Sequence, residues 1–435
     1  MKNCPKCNGE VNDNAKFCRH CGSKIEQEVK KEFCEQCGAE ILDKSPYCEQ
    51  CGEPTIYAPA NNQNDDPWAD IDEKNNDPWS EFKDSKEEKP VEEKNNEQLA
   101  EEYFQKAREA YNNKNYSSAM EYANKSVELG SFKAYNVIGL CYSNGNGVGK
   151  DYKKAFEYFK KAADMGFAAG QNNLGYCYDR GEGVKKDLKE AFAWYQKAAD
   201  QGYDVAQANL GYCYQYGLGV RKSGKEAVAW YQKAADQGYA RAQNSLGFCY
   251  EYGTGVRKNL SEAVRWYQKA ADQGNVYAQT NLGACYEFGD GVAKDKQEAV
   301  RWYEKAAEQG YDRAQNNMGR CCEFGIGTPK DLQQAVYWYK KAVDQGYTPA
   351  INSLADYYEN EEGNFEEAIL LYQKSAEKGD AEGQYSYALF NYFGHGDFLP
   401  ASKDKAIYWL KKSADQGHEK AKQALNKYNN GQMPF

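Results

Sequence analysis

One block of 36 residues returns six times in this chain without an insertion. Its marker, Leu-Gly-Tyr-Cys-Tyr-x-x-Gly-x-Gly-Val, begins at Leu174, and its cognates begin at Ile138, Leu210, Leu246, Leu282 and Met318. A fixed period of this length is the signature of stacked supersecondary units, each covering the apolar flank of the next. Such arrays present long surfaces and seldom carry out chemistry. The sequence therefore points to binding as the class of function and leaves the bound partner unnamed.

Within one unit, Ala206, Leu210, Cys213, Tyr214 and Gly217 fall on one face of a helix. The Gly217-Leu-Gly-Val loop ends that helix, and Ser223-Gly-Lys-Glu226 has the form of a capping box opening a second one. The box recurs as Asp187/Glu190, Asn259/Glu262, Asp295/Glu298 and Asp331/Gln334. Ala227, Tyr231, Ala234 and Ala235 form the apolar stripe of the second helix, with Gly238 at its C-terminal cap. Trp194, Trp230, Trp266, Trp302 and Trp338 share one position on that helix and read as inter-repeat core. The fold class expected is all-α, built of antiparallel helix pairs.

The strings Leu-Gly-x-Cys-Tyr-x-x-Gly-x-Gly-Val-x-Lys-Asp and Ala-x-x-Trp-Tyr-x-Lys-Ala-Ala-x-Gln-Gly resemble the Sel-one-like repeat (SLR), a relative of the tetratricopeptide repeat. The resemblance covers residues 131–417. It implies a right-handed α-solenoid that acts as scaffold or adaptor. Residues 97–130, with Asn113-Lys-Asn-Tyr116, resemble a plain tetratricopeptide turn and read as an N-terminal cap; the repeat domain is set at 131–430, closed by a capping helix over 418–428. Some secreted relatives staple each unit with two cysteines. Here Cys141, Cys177, Cys213, Cys249, Cys285 and Cys321 supply one per unit, apart from the adjacent Cys322. Helices of successive units lie about 8–10 Å apart, beyond the roughly 7 Å Cα limit of a disulfide. These thiols are expected to be reduced and buried.

The remaining eight cysteines lie in residues 1–53 as four Cys-x-x-Cys pairs. The pairs are Cys4 with Cys7, Cys18 with Cys21, Cys34 with Cys37, and Cys48 with Cys51. The two halves are in register at an offset of 30. A two-residue gap lets both thiolates of a pair converge on one ion, and four thiolates form a closed tetrahedral zinc site with no place for water. Segments this short cannot fold on apolar burial alone, and metal binding supplies about 10–16 kcal/mol per site. Two structural zinc ions are expected, with Cys4, Cys7, Cys18, Cys21, Cys34, Cys37, Cys48 and Cys51 as ligands. Neighbouring and interleaved pairings both satisfy the count, and a disulfide framework or iron are the alternatives to zinc. This part resembles a tandem short zinc ribbon. Its eight Lys/Arg against ten Asp/Glu, with two zinc ions and eight thiolates adding −4, leave it acidic.

Residues 54–96 hold twelve acids and five lysines, a composition that favours disorder. A flexible linker of that length spans about 35–40 Å. Asp66-Pro67-Trp68 recurs within it as Asp77-Pro78-Trp79, in the manner of a short motif that folds onto a partner or onto this protein's own groove. Chance duplication in a low-complexity stretch is the alternative.

The face of each first helix opposite its core stripe lines the groove in tetratricopeptide-like arrays. It carries Asn172, Tyr176, Asp179; Ala208, Tyr212, Gln215; Asn244, Phe248, Glu251; Thr280, Ala284, Glu287; and Asn316, Arg320, Glu323. Tyr176, Tyr212 and Phe248 are expected to form an aromatic strip, and Asp179, Glu251, Glu287 and Glu323 an acidic edge. An extended or basic protein segment is the expected ligand. The three histidines, His20, His395 and His418, lie beside no evident nucleophile, and the Gly-x-Gly loops join helices, so no catalytic residue is assigned. A net charge of −10 argues against nucleic acid and anionic membrane. No h-region or spanning segment is evident, so a soluble, cytoplasmic, non-enzymatic adaptor is expected. The alternatives are a nucleic-acid-associated regulator working through the zinc ribbons and a hydrolase of the cysteine-rich SLR type.

Overall fold

The computed structural model describes residues 2–3, 10–11, 32–33, 40–41 and 95–435. At the N-terminus β1 (Lys2–Asn3) pairs antiparallel with β2 (Glu10–Val11), Lys2 opposite Val11. The second hairpin, β3 (Glu32–Phe33) with β4 (Glu40–Ile41), sets Glu32 opposite Ile41. The two hairpins repeat at the offset of 30 read from the cysteines. In sequence the first brackets Cys4 and Cys7, and the second brackets Cys34 and Cys37. The expected zinc ligands themselves lie outside the described residues: Cys4, Cys7, Cys18 and Cys21 of the first half, and Cys34, Cys37, Cys48 and Cys51 of the second. Both Asp-Pro-Trp motifs lie outside them as well.

The repeats divide into two compact units. The N-terminal unit runs to Gln279 and includes Asp290–Val292; the C-terminal unit comprises Thr280–Gly289 and Ala293–Phe435. The first holds α1 (Asn96–Asn112), α2 (Tyr116–Glu128), α3 (Ala134–Asn144), α4 (Tyr152–Asp164), α5 (Ala168–Arg180), α6 (Leu188–Asp200), α7 (Asp204–Tyr216), α8 (Gly224–Asp236), α9 (Ala240–Tyr252) and α10 (Leu260–Asp272). Helix α11 (Val276–Phe288) belongs partly to each. The second holds α12 (Lys296–Glu308), α13 (Asp312–Phe324), α14 (Leu332–Asp344), α15 (Thr348–Tyr357), α16 (Phe365–Glu377), α17 (Ala381–Phe393), α18 (Lys403–Asp415) and α19 (Glu419–Asn429). A π-helical turn, Tyr358–Glu362, extends α15 where the seventh repeat has lost its Gly-x-Gly loop. From α1 to α10 and from α12 to α19 sequential helices pack pairwise, and in the N-terminal unit α1, α3, α5 and α7 also touch in series. The fold class is an all-α solenoid of SLR helix pairs.

The N-caps form where the sequence placed them, but the expected capping boxes do not close, because the N-cap N–H groups are already taken: Ser223 donates its own to the Tyr214 carbonyl and Asn259 to that of Tyr250. The Ser223 and Asn259 side chains accept the backbone N–H of Glu226 and Glu262 at 3.3 and 3.2 Å. In the Gly-x-Gly repeats the first helix stops at a left-handed glycine: Gly217 has φ 76° and donates its N–H to the Cys213 carbonyl. The second loop glycine has a different task. At Gly219 (φ 70°) an added Cβ would lie 2.0 Å from the Leu188 carbonyl oxygen, at the start of the preceding unit's second helix. The loop therefore rests backbone to backbone on its neighbour, which no side chain permits.

The core is made of small residues and rings. Ala206, Leu210, Cys213, Ala227, Tyr231, Ala234 and Ala235 are all buried. Against Gly211 lies the Tyr231 ring, 2.6 Å from where a Cβ would be, and the same contact recurs at Gly175, Gly247, Gly283 and Gly319. Trp266, Trp302 and Trp338 are buried as expected, and Trp194 and Trp230 are half-buried. Each carries a lysine from the next turn over its ring; Lys197 is 3.5 Å from the Trp194 centroid and Lys341 5.2 Å from that of Trp338. All seven repeat cysteines are unbridged and buried.

Candidate functional site

The first-helix face is governed by a pairing that the sequence reading missed. In repeat after repeat a second-helix tyrosine, fully buried, donates its hydroxyl to the residue 16 positions earlier on the first helix. Tyr231 reaches Gln215 at 2.7 Å, Tyr267 reaches Glu251 at 2.5 Å, Tyr303 reaches Glu287 at 2.8 Å and Tyr339 reaches Glu323 at 2.7 Å. Tyr372 continues the series to Asp356 and Glu359. At Tyr195 the ring keeps its place, but the hydroxyl has no hydrogen-bond partner among the described residues. Where the tyrosine is lost, as Phe159 and Leu410, the acceptor position holds Ser143 and Gly394. A donor without an acceptor in this dry interior is costly, so the two change together.

This pairing alters the expected acidic edge. Asp179, Gln215, Glu287 and Glu323 are buried, and only Glu251 of the anticipated acids is half-exposed. Asn172 is also buried; its side-chain oxygen accepts from Asn209 at 2.8 Å. These residues serve the interior because a 36-residue period fixes position on a helix, not the direction in which a polar group is satisfied.

The aromatic strip has a more open setting. In the N-terminal unit Tyr176, Tyr212 and Phe248 are half-buried, as is Asn244. Each of the three rings is joined one turn later by a second group. Arg180 lies over the Tyr176 ring at 5.8 Å, Tyr216 meets Tyr212 at 4.5 Å, and Tyr252 meets Phe248 at 4.4 Å between centroids. Tyr216 and Tyr252 are 50% and 44% exposed, large for aromatic rings, and were not among the residues singled out in the sequence. Their signal was present, since both occupy the position before the first loop glycine in successive repeats.

In the C-terminal unit the same face is locked by charge. Ala284 replaces the strip residue in one repeat and Arg320 in the next. Arg320 donates to both carboxylate oxygens of Glu287 at 2.6 Å, and Tyr303 donates to the same group. Burial disfavours the Arg320 charge, but the Glu287 carboxylate outweighs that and holds the guanidinium protonated. Burial, then the Glu287 charge, pushes the Tyr303 hydroxyl well up from its ordinary value, and burial with Glu323 does the same for Tyr339. Phe324 remains 52% exposed at the helix end.

A glutamine row, also missed in the sequence, stitches repeats together. Gln207 donates to the Ala199 carbonyl eight residues before it, and Gln237 of the next second helix donates both to Gln207 and to the Gly202 carbonyl. Gln243/Gln273 and Gln315/Gln345 repeat the arrangement. These bonds satisfy the last carbonyls of each second helix. Neither repeat histidine lies in a reactive cluster: His395 packs on Phe365, and His418 caps α19 and meets Glu382 at 2.8 Å. Among the described residues no group of His, Cys, Asp and Glu could hold a metal, and no helix is long and apolar enough to cross a membrane. Cys4, Cys7, Cys18, Cys21, Cys34, Cys37, Cys48 and Cys51 lie outside the described residues.

The chain matches the repeat family described as Sel1 repeat in ten segments from residues 90–112 to 381–418, including the two that precede the first Gly-x-Gly loop. Residues 4–52 match the double zinc ribbon, a domain that suggests zinc binding. Among solved structures it is similar to a protective antigen of uropathogenic Escherichia coli displaying an SLR fold, with 36% identity over 78% of this chain and 72% of the other and a TM-score of 0.56. It is also similar to a Sel1 repeat protein from Oxalobacter formigenes, with 34% identity over 56% of this chain and 96% of the other and a TM-score of 0.51. No curated protein matches it. Sel1 repeat proteins are generally protein-interaction scaffolds and usually non-enzymatic. With ten repeats spanning most of its length, this chain belongs to the Sel1 repeat family.

Proposed function

We propose that this protein is a non-enzymatic scaffold that holds an extended segment of a partner protein along the first-helix face of its N-terminal unit. The observation that carries the reading is the row of three paired groups, Tyr176/Arg180, Tyr212/Tyr216 and Phe248/Tyr252, repeated at 36 residues and partly open to solvent. Rigid aromatic rings supply large contact area at small entropic cost, which suits recognition of a peptide. With most of the anticipated acids turned inward, the recognition is aromatic in character, and a preference for basic segments has only Glu251 behind it. The zinc ribbons form a structural head with two ions, one per Cys₄ set, and the protein works in the cytoplasm.

Affinity capture from a native lysate, comparing the full chain with a Tyr176→Ala/Tyr212→Ala/Phe248→Ala variant, tests the groove. The triple variant is expected to lose its partner while retaining its helical signal; unchanged recovery refutes the reading. Elemental analysis of the purified full chain tests the head, with two zinc ions per chain as the expected value.

A further inference from the structure

The Gly-x-Gly-Val loops carry a periodic feature that neither the stack nor the aromatic strip uses. In three consecutive loops of the N-terminal unit the two residues after Val are both basic: Lys185-Lys186, Arg221-Lys222 and Arg257-Lys258. The flanking loops have only one, in Gly149-Lys150, Ala293-Lys294 and Pro329-Lys330. All six side chains of the doubled loops are exposed, and none is in an ion pair among the described residues. At the third loop a shallow cleft between the end of α9 and the start of α10 is lined by Tyr250, Val256, Arg257, Lys258 and Asn259. The loop before it places Tyr214, Val220, Arg221 and Lys222 at the same repeat positions. A ring, a branched apolar side chain and two cations suit a short peptide in which a carboxylate stands beside an aromatic residue.

The same chain carries such a peptide twice. Asp66-Pro67-Trp68 and Asp77-Pro78-Trp79 sit in a stretch that holds seven acids and one lysine between Asp65 and Glu81. From these juxtapositions we infer that the Asp-Pro-Trp motifs dock into the basic loop clefts of their own chain. Aspartate pairs with the Arg-Lys doublet, and tryptophan covers the valine and tyrosine. The proline before each tryptophan restricts the backbone and lowers the entropy lost on docking. Reach is sufficient. Trp79 stands 16 residues before Asn95, a chain that extends up to about 50 Å. The linker joins the N-terminal end of α1, whereas the clefts follow the C-terminal ends of first helices, so the path to the loop after α9 is four helix spacings across, about 40 Å, and one helix length along, about 20 Å, or about 45 Å in all. The inference stands apart from the proposed groove, because Tyr176, Tyr212 and Phe248 take no part in it.

Zero-length carbodiimide cross-linking of the dilute full chain, read by mass spectrometry, tests it. Tethering sets an effective concentration of roughly millimolar, so the links should form within one chain and not depend on dilution. They are expected to join the acids between Asp65 and Glu81 to Lys186, Lys222 and Lys258. Lys189, Lys225 and Lys340, also exposed and on second helices, serve as controls. The Trp68→Ala/Trp79→Ala variant should lose the preference, and Arg221→Glu/Arg257→Glu should lose it from the opposite side. Links spread evenly over loop and control lysines, or unchanged in both variants, overturn the proposal. So do links that join isotopically light and heavy copies in a mixed sample.

Discussion

The two units use one repeat position in opposite ways. In the N-terminal unit the position beside the core cysteine holds Tyr176, Tyr212 and Phe248, rings that turn partly outward and stack with a neighbour one turn on. In the C-terminal unit it holds Ala284 and then Arg320, and Arg320 is spent on Glu287, whose side chain is 4% exposed. The scaffold beneath is the same in both, with a tyrosine ring on a glycine, a hydroxyl on the residue 16 back and a glutamine bridge to the next repeat. A repeat array can thus vary one position per unit to offer a surface in one stretch and a lock in another, without disturbing what holds the helices together.

The largest expected effect breaks that lock. Arg320→Leu leaves the Glu287 carboxylate buried without its cation and should lower stability by about 3 kcal/mol, whereas Phe248→Leu in the N-terminal unit should cost less than about 1.5 kcal/mol. Denaturant unfolding of the full chain compares them. Next in size is a change in the shared scaffold. Gly211→Ala and Gly319→Ala each push a methyl into a tyrosine ring at 2.6 or 2.5 Å. Both should lose about 1–2 kcal/mol, because overpacking exceeds the gain in helix propensity. A large inequality between them would show that the units are not built alike.

Smaller still is the hydroxyl comparison. Tyr303→Phe removes a hydrogen bond to a buried carboxylate and should cost about 1.5 kcal/mol, while Tyr195→Phe, whose hydroxyl has no partner, should cost nothing or stabilise by up to about 1 kcal/mol. The smallest effect is on thiol reactivity. Burial pushes the Cys177, Cys213 and Cys321 thiols up to about 12, so all three stay protonated at pH 8. Because the thiolate is the nucleophile, alkylation of the native protein should leave them unlabelled in both units alike. Adding a chelator should expose the eight N-terminal cysteines to the reagent and leave the repeat thiols unchanged.

Much of the architecture was legible before any coordinates. The 36-residue period, the N-cap series from Asp187 to Asp331 and the glycine after the first helix of each Gly-x-Gly repeat are local signals with local causes, and the second-helix starts and first-helix ends of those repeats follow from them. The direction of Asp179, Glu287 and Glu323 was not legible in that way. Seen on a helix alone, they occupy the face opposite the core stripe and look solvated. For Glu287 and Glu323 the buried partner is a tyrosine 16 residues later, on another helix. A trace of it was still present in the sequence, since the repeat with Leu410 has Gly394 at the acceptor position and so lacks both partners at once. The exposed Tyr216 and Tyr252 were hidden for another reason: they adjoin a loop glycine, where the helix-end signal and the loop signal overlap.

On the proposed function, the first-helix face binds in the N-terminal unit and only holds structure in the C-terminal one. One paired measurement tests it most directly: partner capture and unfolding midpoint determined together for Tyr216→Ala/Tyr252→Ala and for Arg320→Leu. The expected result is that the first variant loses the partner with little change in midpoint, and that the second keeps the partner below its lowered midpoint. If the first retained its partner while the second, still folded, released it, the assignment of surface and lock would be contradicted.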